Sequence, residues 1–164
     1  MSEIPALSSQ LESVLNGSSV HDISAAGFQQ LAEFRYCIRQ FLHFSEQVAR
    51  ANGIEPQQHQ LLLAVKGLPS GVRPTVTALA HRMCLRHHST VELINRMVER
   101  GAVVRRPSDH DRREVLIELT PVGEEILQKL SLVHWQELQT SGPALSEALQ
   151  AVVNHAFVNG GNAA

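Results

Sequence analysis

Arginine is concentrated in one stretch of the chain, and its side-chain chemistry suits the binding of anions. Nine arginines and four acidic residues lie between Arg73 and Arg113, a net charge of +5, so the rest of the chain carries −7 of the total of −2. The planar guanidinium fork matches phosphates and guanine edges, so this basic segment, residues 73–113, is predicted to bind an anion such as a nucleic acid. A solvated surface with local ion pairs is the alternative.

Four of these arginines lie within nine residues, around the tip of a predicted hairpin. The sequence there is Arg-Arg-Pro-Ser-Asp-His-Asp-Arg-Arg, from Arg105 to Arg113. A protruding arginine fits the minor groove of DNA, where the negative potential attracts cations. Asp111 lies two residues before Arg113 and can hold its guanidinium in one orientation. A polar loop with a local ion pair is the alternative interpretation.

The segment His87–Arg100 is predicted to form an amphipathic helix. With an advance of about 100° per residue, its apolar side chains fill one arc and its polar side chains fill the opposite arc. The apolar arc holds Thr90, Val91, Leu93, Ile94, Met97 and Val98, and the polar arc holds His88, Ser89, Glu92, Asn95, Arg96, Glu99 and Arg100. An ordinary helix with a solvated face is the alternative.

The polar side chains of this helix are of the kinds that read base edges. Arg96 could fork onto guanine, Asn95 could pair with adenine, and Glu92 could accept from cytosine or orient an arginine. His88 and Ser89, near the helix N-terminus, could reach bases or phosphates.

The surrounding pattern predicts the elements that must position these residues. Helices are expected over residues 28–51, from Pro56, over 75–83, from Pro121 to about Thr140 and over 143–158, with Gly142-Pro143 as a break. Strands are expected over 102–106 and 115–119, and Thr120 with Glu124 is expected to form a capping box. The predicted fold class is mainly α with a small β-hairpin wing, a winged helix-turn-helix flanked by terminal helices.

Residues 76–123 resemble the MarR (multiple antibiotic resistance regulator) family of winged-helix transcription regulators. The resemblance rests on Leu79-Ala80-His81-Arg82-Met83, Ser89-Thr90-Val91, the run from Leu93 to Gly101, Arg105-Arg106-Pro107, Asp111-Arg112-Arg113 and Leu119-Thr120-Pro121-x-Gly123. It implies a homodimer on a pseudo-palindromic operator, released by a ligand or an oxidant. His87-His88 and Glu92 depart from the common family residues, so no operator sequence carries over.

The resemblance also implies roles for individual residues. Arg113 matches the minor-groove residue of the wing, Asp111 its partner, and Arg112 a phosphate contact. The predicted DNA contacts of the recognition helix are Arg86, His87, His88, Ser89, Glu92, Asn95 and Arg96. Arg106 is a further predicted DNA contact of the wing, beside Asp111, Arg112 and Arg113. An effector pocket between the dimer helices and the winged helix is expected, with Phe34, Phe41, His43, Phe44, Leu62 and Trp135 as candidates for its lining. Core packing is the alternative role for each.

The resulting organisation has four parts. Residues 1–27 form an arm, 28–54 and 121–158 a dimerisation region, 55–120 the DNA-binding region, and 159–164 a tail. Apolar stripes on the first and last helices, which a small winged domain cannot cover, also favour a homodimer. A winged-helix protein-interaction module without DNA binding is the alternative function, favoured by the acidic total and by Glu92 and Glu99.

Several other functions are disfavoured. No G-x-S-x-G, H-E-x-x-H or phosphate loop is present, so an enzyme is not expected. Nine histidines show no spacing that would converge on a metal, so neither a metal nor another cofactor is expected. Cys37 is an open candidate for oxidant sensing, and Cys84 is expected to be a small core residue. No membrane span or secretory signal is evident, and a cytoplasmic protein is the expectation.

Overall fold

The computed structural model describes residues 23–109 and 114–160, with side chains as far as residue 154. The elements in chain order are α1 (Ala25–Ala51), α2 (Pro56–Lys66), α3 (Val76–Arg82), α4 (His87–Glu99), β1 (Val103–Pro107), β2 (Val115–Leu119) and α5 (Pro121–Gly160). The mainly helical fold with one hairpin is therefore confirmed. Residues 1–22 of the predicted arm, the tip residues Asp111, Arg112 and Arg113, and the last residues of the tail lie outside the described part, whereas the last residues of the predicted arm belong to the start of α1.

Local capping explains where the first helices begin. The Ser24 hydroxyl accepts a hydrogen bond from the Gly27 backbone N–H at 3.1 Å, so α1 begins three residues before the predicted Phe28. Helix α2 begins at Pro56, as predicted. The Thr75 hydroxyl accepts from the Ala78 N–H at 3.2 Å and caps α3.

The core lies between α2 and the elements of the winged helix. Its members include Leu61, Leu62, Leu79, Leu93, Ile94, Met97, Val103, Ile117, Leu127 and Leu130, all in one buried cluster. Helix α2 is central to this cluster, but it is not buried all round. Leu63 is 45% exposed, because it points away from the helices that cover Leu61 and Leu62.

Strands β1 and β2 form an antiparallel pair that carries the wing. Val103 pairs with Leu119, Arg105 with Ile117, and Pro107 with Val115. The loop before α3 extends this pair, because the Ile117 N–H donates to the Pro74 carbonyl at 2.9 Å. The wing is thus attached along its inner edge to the helical core.

The start of α5 partly differs from the predicted capping box. The Thr120 hydroxyl accepts from the Gly123 N–H at 3.2 Å, as expected of a cap. Glu124 does not complete the box, because the third residue after the cap is Gly123 and the Thr120 N–H donates to the Ala102 carbonyl instead. The carboxylate of Glu124 lies 2.5 Å from Lys66 Nζ. The acidic side chain therefore links α5 to α2.

The predicted break at Gly142-Pro143 is wrong, because α5 continues through the proline to Gly160. Proline removes one backbone hydrogen bond. The hydroxyls of Thr140 and Ser141, in the turn before it, donate to carbonyls four residues earlier at 3.2 and 3.0 Å. Helix α5 packs along α1, and Ala148, beyond the proline, is buried. Packing on both sides of Pro143 thus holds the two halves in one helix.

Candidate nucleic-acid interface

Helix α4 has one buried face and one free face. Thr90, Leu93, Ile94 and Met97 are buried in the core. The exposed side chains are those of His87, His88, Glu92, Asn95, Arg96 and Glu99, with Arg86 exposed at the N-cap and Ser89 half-buried. The predicted recognition-helix residues therefore lie along the outer side of α4 and its first turn.

The buried hydroxyl of Thr90 explains how a polar residue is tolerated on the inner face. Thr90 Oγ1 donates to the backbone carbonyl of Arg86 at 3.1 Å, and the Thr90 N–H donates to the same oxygen at 3.0 Å. Both bonds fix the backbone of Arg86 at the first turn of α4, and the side chain of Arg86 stays exposed to solvent.

The wing touches the free face of α4 through one arginine. Arg105 Nη2 donates to Asn95 Oδ1 at 2.6 Å, although the two residues lie on different elements. Arg105 was absent from the predicted contact residues. The alternation of β1 could have found it, because Arg105 shares a sheet face with the buried Val103, which packs toward the helices.

Arg106 lies on the opposite face of the same strand. Its Nε is 3.5 Å from a carboxylate oxygen of Glu118 on β2, and both side chains are exposed. The two adjacent arginines therefore occupy different environments, one beside the recognition helix and one paired across the hairpin.

The base of the wing is held by Arg73 from the loop before α3. Arg73 forms an ion pair with Glu114 and donates to the Ser108 hydroxyl at 3.4 Å. The Ser108 N–H donates to the Glu114 carbonyl at 2.9 Å, and Ser108 is buried. Both strands are thus anchored where the tip begins.

The candidate effector residues are not brought together into one cavity within residues 23–109 and 114–154. Leu62 is fully buried in the core, His43 is exposed and hydrogen-bonded to Gln47, and Trp135 is 67% exposed. Phe34 is half-buried on α1. Only Phe41 and Phe44 share a neighbour, because each places its ring edge-on near the imidazole of His134, at centroid distances of 6.2 and 6.1 Å.

His134 and His59 meet where α1, α2 and α5 come together. Their imidazoles stack with centroids 4.8 Å apart, and both residues are buried. His134 Nδ1 lies 2.6 Å from the Leu130 carbonyl, which can only accept, so Nδ1 carries the proton. Nε2 then accepts from the Ser45 hydroxyl at 2.7 Å.

Burial, with a smaller contribution from His134, lowers the pKa of His59 to about 4. His59 Nδ1 is buried and has no hydrogen-bond partner among the residues that the structure describes. A charged His59 would therefore lack an acceptor on that side. No group of three or more His, Cys, Asp or Glu side chains in the described ranges is placed to hold a metal ion.

The two cysteines differ in their surroundings. Cys37 is half-buried, and its thiol lies 3.7 Å from a carboxylate oxygen of Glu33. Desolvation and the negative charge of Glu33 raise the pKa of Cys37, which disfavours the reactive thiolate. The prediction that Cys84 is a core residue is wrong, because it is exposed in the turn between α3 and α4, where its φ of 54° makes a tight reversal.

Two open grooves lie along α2, and one of them borders α4. One, of about 570 Å³, lies between α2 and the turn that contains Cys84. The other, of about 510 Å³, lies between the start of α2 and the side of α4 that carries Arg96. Among the described helices, none is long and apolar enough to cross a bilayer.

Comparison with known proteins identifies the winged helix. A family model described as the MarR family matches residues 52–114, the stretch from the end of α1 to the far side of the wing. A putative transcriptional regulatory protein for the hcr operon of Thauera aromatica is 26% identical over 144 residues, which cover 85% of this chain and 79% of that protein.

Solved structures share the fold. AbsC, a MarR family transcriptional regulator from Streptomyces coelicolor, has a TM-score of 0.60 and 20% identity, covering 85% of this chain and 97% of its own. A mutant of S. aureus MepR bound to an oligodeoxyribonucleotide has a TM-score of 0.55 and 16% identity, covering 77% and 94%. Residues 52–114 are thus similar to the MarR family, and the arrangement of the flanking helices matches the fold of solved MarR family regulators.

Proposed function

We propose that this protein is a homodimeric transcription repressor that binds a pseudo-palindromic duplex and is released by a small-molecule effector. In this proposal α4 enters the major groove, and the tip of the wing, residues 107–113, enters the minor groove. The observation that carries the proposal is the free polar face of α4 beside an arginine-rich hairpin. The names of the Thauera aromatica relative and of the DNA-bound MepR structure support it.

The chemistry of α4 fits a reading element. Arg96 and Asn95 are exposed, and within residues 23–109 and 114–154 neither Arg96 nor Glu92 lies in an ion pair. The donors of Arg96, the carboxylate of Glu92 and the NH₂ group of Asn95 are therefore available to base edges, whereas Asn95 Oδ1 is bonded to Arg105. Positive charge also lies at the N-cap of the helix, on the exposed Arg86, where a phosphate would lie.

The charge distribution gives the complex an orientation. The basic segment contains α3, α4 and β1, whereas α5 carries four glutamates and one lysine. Phosphate attraction thus favours the winged helix as the DNA-facing side, and it disfavours α5 against the duplex.

Exposed apolar side chains on the terminal helices support a homodimer. The apolar side chains on α1 and α5 that are more than one-third exposed are Phe28, Leu31, Tyr36, Leu42, Val122, Leu132, Trp135, Leu138, Leu149 and Val153. Such a set on one protomer indicates surface that is covered in the functional assembly. Two-fold symmetry would place two α4 helices roughly 34 Å apart, one turn of DNA.

The effector part of the proposal uses the junction around His134. This residue contacts α1 through Ser45 and α2 through His59, so it links the terminal helices to the winged helix. A small molecule that displaced these contacts would change how α4 is held relative to the dimer axis. The distance between the two α4 helices would then no longer match the spacing of the half-sites, and the DNA would be released.

The test is a fluorescence-polarisation titration with duplex DNA from the region beside the protein's own gene. Affinity should fall steeply with salt, because Arg and Lys contacts release counterions from the phosphates. Arg96→Ala should weaken specific binding by about 1–3 kcal/mol. Lys129→Ala, which removes one positive charge from the exposed surface of α5, is the matched control and should change affinity little.

Two outcomes would contradict the proposal. Binding that is equally weak for the upstream duplex and a scrambled duplex would argue against sequence-specific regulation. Capture of a protein partner without any binding to a duplex would favour the protein-interaction module instead.

A further inference from the structure

We propose that Arg105 and Asn95 form one composite reading group that selects guanine over adenine in each half-site. The proposal deepens the proposed function and rests on it, because it takes α4 to lie in the major groove. It assigns a base-reading role to Arg105, which lies on β1, and it changes the role first expected of Asn95.

The hydrogen bond between the two side chains has only one chemical reading. A guanidinium has five N–H donors and no acceptor, so the amide atom that faces Arg105 at 2.6 Å must be the oxygen of Asn95. The contact is charge-assisted and therefore stronger than a bond between neutral groups. The NH₂ group of Asn95 consequently does not face Arg105, and it has no hydrogen-bond partner among the described residues.

This arrangement conflicts with adenine. On its major-groove edge adenine offers one acceptor, N7, and one donor, the N6 amino group, so an asparagine reads it with both its oxygen and its nitrogen. The oxygen of Asn95 is engaged by a cation. An amino group that approached the same oxygen would meet the positive charge and the N–H groups of Arg105.

Guanine fits the same pair of side chains. Its major-groove edge offers two acceptors, N7 and O6, and no donor. The NH₂ group of Asn95 can donate to one acceptor, while a further N–H of Arg105 donates to the other. The group presents only donors, and it therefore complements guanine without breaking the bond between Arg105 and Asn95.

The sheet explains why Arg105, and not its neighbour, has this role. Side chains alternate along β1, so Arg105 lies on the face shared with Val103 and Ile117, both buried against the helices. Arg106 lies on the other face, beside Glu118. Arg105 is thus directed toward α4, and Arg106 is directed away from it.

The experiment begins with selection of duplexes by the full-length wild-type protein, followed by single base-pair changes in the selected half-site. At the guanine read by the pair, a change to adenine should weaken wild-type binding about tenfold or more. In Arg105→Met the same change should cost less than about threefold, because the oxygen of Asn95 becomes free to accept from adenine. Asn95→Ala should also abolish the discrimination, and the double variant should add no further loss at that position.

Arg106→Met is the matched control, because it removes the same charge from the next residue of the strand. It should lower affinity for all duplexes alike and keep the preference for guanine. Arg105 and Asn95 are both exposed, so circular dichroism should report folded variants.

The outcomes separate this inference from the proposed function. If the wild-type protein selects no duplex, the proposed function is refuted, and the composite reading group is refuted as well. If the wild-type protein selects a duplex, but Arg105→Met discriminates guanine from adenine as the wild type does at every position, only the composite reading group is refuted.

Discussion

Acidification from pH 7 to pH 5 is expected to destabilise this protein through His59. The imidazole is buried and stacked on His134, and its Nδ1 has no hydrogen-bond partner among the described residues. The neutral ring is therefore strongly preferred in the folded state. An unfolded chain exposes the same ring to water, where it takes up a proton more readily.

The magnitude follows from the two pKa values of His59. The folded pKa of about 4 lies below the unfolded value of 6.5, so the unfolded state binds more protons between these values. The stability contributed by neutral His59 is complete above the unfolded pKa and is lost as the pH falls toward the folded pKa. The loss amounts to about 2 kcal/mol per chain between pH 7 and pH 5, and to about 3 kcal/mol below both pKa values.

The measurement is urea unfolding, followed by circular dichroism, at pH 7 and pH 5. The protein concentration is kept constant, because the stability of a dimer depends on it. Other groups titrate in the same range, so the decisive quantity is the difference between the wild type and His59→Gln. The wild type should lose about 2 kcal/mol more than the variant, since glutamine does not ionise.

His43→Gln is the matched control for this difference. His43 is exposed on α1 and hydrogen-bonded only to Gln47 among the described residues, so the variant should show the pH dependence of the wild type. An equal loss of stability in the wild type and in His59→Gln would refute the reasoning that burial keeps His59 neutral.

Two further predictions concern packing and assembly. Gly123→Ala should lower the free energy of unfolding by about 1–3 kcal/mol, because a Cβ there would lie 2.0 Å from the Ala102 carbonyl oxygen. Gly142→Ala, whose Cβ would meet nothing within 4 Å, should stabilise α5 by about 0.5–1 kcal/mol, and equal effects in urea titrations would contradict this contrast. The emission of Trp135, the single tryptophan of the chain, should shift to shorter wavelength as monomers associate, because the proposed dimer would cover a side chain that is 67% exposed in the protomer. A spectrum that stays constant while sedimentation shows dimer formation would exclude Trp135 from the interface.

Most elements were predictable because their signals are local. The cap at Thr120 and the proline at the start of α2 act within a few residues, and the structure confirms them. The free and buried faces of α4 were predictable for the same reason, since a helix repeats over a short span. The proline in α5 misled the prediction, because its local penalty is outweighed by packing along α1.

The amino-acid sequence by itself determined the order of elements as far as the start of α5, the basic segment and the amphipathic character of α4. Only the tertiary structure decided which distant side chains meet. The stack of His59 on His134 joins α2 to α5, and the bond from Arg105 to Asn95 joins the wing to α4. Periodicity places a residue on a face of its own helix or strand, but it contains no information about which face of another element lies opposite. Those pairings depend on how the hydrophobic core packs, and they set both the protonation of His59 and the donors that α4 presents.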